Sequence, residues 1–206
     1  MRRHKGVKRI SRAAGITCLA WAAVAGCGVT AGSGRAPAVP VTSPAQTNPA
    51  APSGIRCTPA QLQLIRQPPV PEATQQLTWL IGLRNTAATG CGVDGYPAIA
   101  LVDGRGIRLR YRFRAGGDQM LTSAAPAPVW LRPGGTAYFG ISKNACTARD
   151  TDLATVIRVI PPGARSALTL RAPSQRIMDY CGRDAVGSAV DISPVEPDIA
   201  AVFAHQ

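Results

Sequence analysis

The sequence predicts an all-β fold, an immunoglobulin-like antiparallel β-sandwich that follows a disordered Pro/Ala-rich tether. Three observations carry this expectation. Short apolar or alternating runs recur at close spacing from Cys57 onward, and Gly/Pro clusters punctuate them. No stretch holds a helical apolar period of useful length. Ahead of Cys57, the segment rich in Pro, Ala, Ser and Thr lacks the apolar surface needed to build a core.

The first 26 residues read as an export signal. Met1 to Arg12 carries Arg2, Arg3, Lys5, Lys8, Arg9 and Arg12 with no acid, and Ala13 to Ala25 is apolar. That run falls short of the roughly 20 residues that span a bilayer and ends in small residues, as cleavable signals do. Its close, Val24-Ala25-Gly26-Cys27, resembles the bacterial lipobox. The resemblance implies that Cys27 is diacylated and becomes the first residue of the mature chain. Two acyl chains hold a protein stably at a membrane, where one holds it only marginally. An ordinary secretory signal and an uncleaved anchor are the competing readings. Cys18 is the poorer acceptor, because Thr17 precedes it and little apolar sequence would remain ahead. Arg2-Arg3 lacks the apolar residues that a twin-arginine signal needs soon after the pair. The expected address is the extracytoplasmic face of the cell membrane, lipid-anchored, with secretion as the alternative.

Residues 1–26 take six of the 23 basic residues and none of the 11 acids, so the remainder carries 17 − 11 = +6 against +12 for the whole chain. Past Cys27 the only lysine is Lys143. Residues 27–56 form the tether. Prolines 37, 40, 44, 49 and 52 favour extended conformations there. Its reach lies between roughly 30 Å as a coil and roughly 80 Å fully extended.

Residues 57–194 are the sandwich domain, with 195–206 a tail that packs against it or hangs free. Gln75 to Arg84 alternates Leu77, Trp79, Ile81 and Leu83 on one face. A turn-rich loop, Asn85 to Gly95, precedes the run Tyr96 to Val102. Asp103-Gly104-Arg105-Gly106 links that run to Ile107–Arg114 as a hairpin. Further runs are Val129–Leu131, Ala137–Ser142, Thr155–Ile160, Ala167–Arg171 and Ala189–Ile192. Pro133-Gly134-Gly135 and Pro161-Pro162-Gly163 mark turns.

With Cys18 in the signal and Cys27 lipid-bearing, Cys57, Cys91, Cys146 and Cys181 remain. An even number in an exported domain reads as two disulfides. Three connectivities can be drawn. The pairing Cys57–Cys91 and Cys146–Cys181, one staple in each half, is preferred. A zinc site is the weaker reading, since no pair is spaced C-x₂₋₄-C and His205 alone could assist.

Asn85, Cys91, Gly95-Tyr96-Pro97, Leu101-Val102-Asp103 and Gly106 resemble the N…C…GYP…LxDxxG signature of an actinobacterial group of secreted proteins and lipoproteins. That group is known as domain of unknown function 4232. Leu131-Arg132-Pro133-Gly134, Ala137, Cys146 and Cys181 fall where the pattern continues. The chain departs from it around Ile141-Ser142-Lys143, where a tryptophan would be expected near the strand end, and in a longer tail. The resemblance implies no activity and no catalytic residue. The same positions have physical readings. Gly95 and Gly106 suit positive φ, Pro97 suits the start of an edge strand, and Tyr96 offers ring area with a polar tip.

Catalytic chemistry is not expected. A serine or cysteine nucleophile needs a base, and past the signal the only histidine is His205, at the fraying end. Asp150 and Asp152 form the closest carboxylate pair and read as solvent-facing loop acids. No calcium loop surrounds them, and no phosphate-cradling or dinucleotide motif occurs. No metal and no cofactor are expected.

The run Arg108-Leu109-Arg110-Tyr111-Arg112-Phe113-Arg114 is the feature of greatest functional interest. In a strand, Ile107, Leu109, Tyr111 and Phe113 point one way, and Arg108, Arg110, Arg112 and Arg114 the other. The four arginines are a candidate anion-binding face, with a solvated, aggregation-blocking face as the plainer reading. The partners to expect are phospholipid headgroups, anionic envelope polymers or acidic proteins. The compartment argues against nucleic acid, and the sequence is silent on oligomeric state. The leading functional expectation is a non-enzymatic binding or structural module of the cell envelope. The alternatives are an extracellular enzyme with an unrecognised site, or a regulator or inhibitor of an envelope enzyme.

Overall fold

The computed structural model describes residues 55–68, 70, 75–147, 151–172 and 178–203. All belong to the second of two units into which the chain divides, Thr47–Gln206. The signal, Cys27, most of the tether, Asp150 and His205 lie outside the described residues. No helix among the described residues is long and apolar enough to cross a membrane.

Among the described residues eleven strands follow one another: β1 (Leu62–Arg66), β2 (Gln76–Asn85), β3 (Cys91–Val93), β4 (Ala98–Asp103), β5 (Arg112–Ala115), β6 (Val129–Leu131), β7 (Thr136–Asn144), β8 (Asp152–Ile160), β9 (Leu168–Arg171), β10 (Asp179–Tyr180) and β11 (Ala189–Ile192). One short helix, α1 (Ile199–Val202), ends the described chain. A five-stranded sheet has the order β1-β2-β7-β11-β5. A second sheet is centred on β8, which pairs with β4 on one edge and with β9 and β10 on the other. β3 and β6 make a two-stranded ribbon. Pairing is antiparallel except between β5 and β11, which run parallel.

Alternation explains how the layers meet. The register sets Trp79 opposite Ile141, Ile81 opposite Phe139 and Leu83 opposite Ala137, all fully buried. They join Ile99, Leu101, Ile157 and Val159 of the second sheet, with Val190 and Ile192 of β11, in one core. Stacking two inner faces in this way makes a β-sandwich. Burial of each such aliphatic or aromatic side chain contributes about 1.5–3 kcal/mol.

The motif positions serve this fold. Asn85 is buried, and its amide nitrogen donates to the carbonyls of Thr89 (2.8 Å) and Leu131 (3.1 Å). Its side-chain oxygen accepts from Ala87 N–H at 3.0 Å. One side chain thus ties the loop after β2 to β6 with no polar atom stranded. Asp103 Oδ1 accepts from the N–H groups of Arg105 (2.9 Å) and Ile107 (2.7 Å), closing the hairpin turn. Gly95 and Gly106 both take positive φ, 114° and 86°. Pro97 precedes β4, an edge strand.

The disulfides join Cys57 to Cys91 and Cys146 to Cys181. Structural disulfides of this kind belong to an oxidising, extracytoplasmic compartment. The residues after Pro194 pack on the sandwich. Val195 is buried, Glu196 and Tyr138 exchange backbone hydrogen bonds, and Val202 closes a small second cluster with Leu80 and Leu121. This cluster covers the outer side of β2 and β7, so both faces of β2 are largely buried.

The hairpin differs from its sequence expectation. Only a short antiparallel pairing holds Ile107–Leu109 to β4, through Asp103 N to Ile107 O (2.9 Å) and Leu109 N to Leu101 O (2.9 Å). The chain then leaves that sheet, and Arg112–Ala115 joins the other as β5. The segment crosses from one layer to the other along the side of the sandwich. Ile107 consequently sits 56% exposed instead of pointing inward with Leu109 and Tyr111.

Candidate functional site: an arginine groove on the sandwich edge

Leu109 and Tyr111 anchor the crossing segment in the core, and Phe113 is half-buried against it. Their burial turns the alternate residues, Arg108, Arg110, Arg112 and Arg114, to solvent. Tyr111 fixes the segment further. Its hydroxyl donates to the Met178 carbonyl at 2.8 Å, and its ring meets Tyr180 edge-on at 5.0 Å. Burial, then the charge of Asp179, pushes its pKa well above the ordinary tyrosine range.

The four arginines differ in their partners. Arg114 is paired with Asp191, its register partner on β11, through Nε–Oδ1 at 2.8 Å and Nη2–Oδ2 at 2.7 Å. This two-pronged bond raises the Arg114 pKa and takes its charge out of competition. Arg112 donates to the carbonyls of Arg183 and, at 3.2 Å, Ala185. It is held as a strut between β5 and the loop after Cys181. Arg108 and Arg110 are exposed and have no hydrogen-bond or ion-pair partner among the described residues.

Arg108, Arg110 and Arg112, but not Arg114, line an open groove of 690 Å³, bounded with Ile107 on one side and by Arg183 on the other. Arg183 was not legible as a site residue. Gly182, at φ 100°, follows Cys181, and the disulfide to Cys146 together with the Arg112 strut brings the loop to this edge. The sequence row therefore becomes a cluster in which the side chains of Arg108, Arg110 and Arg183 have no partner among the described residues and Arg112 is pre-positioned. Such an arrangement suits phosphate or carboxylate oxygens, which planar guanidinium forks match.

Beneath this edge lies a feature that sequence reading missed. Lys143 follows Phe139 and Ile141 on the inner face of β7, and its side chain is 0% exposed. It donates to Asp179 Oδ1 of β10 at 2.9 Å, so an ion pair spans the two layers beside the Cys146–Cys181 bridge. Desolvation lowers the Lys143 pKa, and the hydrogen bond and charge of Asp179 oppose that shift. Its one clue in the sequence was the parity of a lone lysine with three inward residues. Among the other flagged acids, Asp152 is exposed at the start of β8. Tyr96 is half-buried at the β3–β4 connection. No group of three or more metal-ligating side chains occurs among the described residues.

A family described as a domain of unknown function (DUF4232) matches residues 57–196, from the first disulfide cysteine to the residue that pairs with Tyr138. No curated protein and no solved structure matches the chain. The family match covers well over half of the sequence and spans both disulfides, all eleven strands and the arginine groove, so the chain belongs to the DUF4232 family.

Proposed function

We propose that this protein is a non-enzymatic binding module of the cell envelope. It is tethered to the outer face of the membrane through a lipid on Cys27 and takes up anionic groups in the arginine groove. The observation that supports this reading is the sorting of the arginines. The fold pairs Arg114 and braces Arg112, yet leaves Arg108, Arg110 and Arg183 without acid partners among the described residues, around one hollow. The like charges repel only modestly across solvent at this spacing, so the fold tolerates them without a bound anion. A non-enzymatic role is favoured because the four domain cysteines are sealed in disulfides and no histidine falls among the described residues. Lipidation is supported by Val24-Ala25-Gly26-Cys27 alone.

Two measurements test this reading. Arg108→Ser with Arg110→Ser lowers affinity for long-chain polyphosphate by at least tenfold at physiological salt while thermal stability stays within a degree or two. Equal binding by the variant defeats the groove. Intact mass of the protein from native membranes gives a Cys27-terminal, diacylated species. A chain that keeps residues 1–26 defeats the anchor.

A further inference from the structure

We infer that the hairpin Asp103–Leu109 is a membrane-docking tip, and that the surface it meets is an anionic phospholipid bilayer. This inference rests on the anion-binding reading of the groove and names its partner. Three observations carry it. The first is Ile107, which lines the groove and stands exposed, although its parity with Leu109 and Tyr111 would otherwise send it inward. The hairpin turn lifts it off the sandwich. Residues 104–108 are all exposed, and a Cβ built on Gly106 would find nothing within 4 Å.

The second observation is charge. Arg105, Arg108 and Arg110 flank Ile107, all exposed and all without an acid partner among the described residues. Asp103, the one acid of the hairpin, is occupied with the N–H groups of Arg105 and Ile107. An apolar side chain ringed by unpaired guanidinium groups matches a bilayer interface, where acyl chains lie beneath a layer of phosphates. A soluble polyanion would engage the arginines and leave Ile107 in water.

The third observation is reach. A chain of 30 residues, the number from Cys27 to Arg56, can span between roughly 30 and 80 Å. A lipid on Cys27 therefore holds the hairpin within range of the same bilayer. Docking becomes an intramolecular event, and modest affinity suffices for it. The domain then lies on the membrane with the hairpin edge down.

The test uses the chain from Gly28 to Gln206, which has no acyl group. It includes both disulfides and every buried core residue described, from Cys57 to Val202. Three probes are compared: vesicles of phosphatidylglycerol with phosphatidylcholine, vesicles of phosphatidylcholine alone, and long-chain polyphosphate. The expected result is sedimentation with the anionic vesicles and not with the neutral ones. Ile107→Ser weakens vesicle binding about tenfold, in line with loss of one buried aliphatic side chain, a larger fall than it causes in polyphosphate binding. Ile107→Trp strengthens vesicle binding, and its fluorescence shifts to the blue on the anionic vesicles. Vesicle binding that is indifferent to Ile107→Ser overturns the docking tip. Binding of polyphosphate without vesicles overturns the membrane partner and leaves the groove standing. Binding of neither probe removes both.

Discussion

Lys143 and Asp179 set the terms at the scale of single residues. Each is costly to bury alone, and together they bridge the layers at 2.9 Å. Lys143→Met leaves Asp179 without its counter-charge and is expected to cost about 3–5 kcal/mol in urea denaturation. Adding Asp179→Leu recovers most of that loss, because an apolar pair of similar volume avoids desolvating either charge. A double variant no better than the single would show that the pair contributes more than its own neutralisation. Tyr111 sets an alkaline limit. Its folded pKa lies well above the ordinary 10.0, chiefly through burial. Above pH 10 the folded chain keeps a proton that the unfolded chain gives up, so this residue makes stability fall as pH rises. Lys143 acts in the opposite sense, since its folded pKa lies below the ordinary 10.5. Between those two values the unfolded chain binds the more protons, and stability from this group rises with pH. Urea midpoints measured from pH 8 to 11.5 separate the two. Tyr111→Phe flattens the decline above pH 10 and loses about 1 kcal/mol at neutral pH with its hydrogen bond.

At the scale of elements, the tail is part of the domain. Gly140 of β7 makes room for it: a Cβ there would lie 2.3 Å from Leu121 Cδ2 and 3.0 Å from Val202 Cγ1. Gly140→Ala is expected to destabilise by about 1–3 kcal/mol through overpacking. Val202→Ala acts on the same cluster by opening a void, at a similar cost of about 1–3 kcal/mol. Hydrogen exchange at Leu80 and Leu121 would report both changes locally, and protection unchanged in both variants would refute the role given to α1. Much of this level was legible. Strands β2, β4, β6, β7, β8, β9 and β11 lie close to the runs that alternation marked, because their inner residues face a continuous core. The three-residue β3 and two-residue β10 are too short to show a period. The sequence reading passed over β1, although Leu62 and Leu64 do alternate inward. The crossing after Leu109 could not be read either. Residues 107–114 keep one alternating pattern through a change of sheet, since inward-facing residues meet the same core from either layer.

For the whole molecule, two covalent staples hold a domain with one main core. Removing Cys57–Cys91 as the alanine pair is expected to lower stability by about 3–4 kcal/mol, on the chain-entropy account of a 34-residue separation. Removing Cys146–Cys181 costs a similar amount of about 3–4 kcal/mol. It also loosens the loop that carries Arg183, so anion affinity falls only in this second variant. Equal anion binding by the two variants would show that the far wall of the groove does not need its disulfide.

The sequence by itself determined the all-β class, the oxidation of four domain cysteines to two disulfides, most strand positions, the turn glycines and the outward direction of four arginines. Each follows from local rules: a period of two, the φ range open to glycine, and the redox chemistry of an even set of thiols. Only the tertiary structure decided which arginines are free, which residue faces them, and that Lys143 lies inside. Those outcomes depend on contacts between residues far apart in the chain, such as Arg114 with Asp191 and Lys143 with Asp179. A charge is neutralised by whatever the fold brings to it, and no local pattern records that partner.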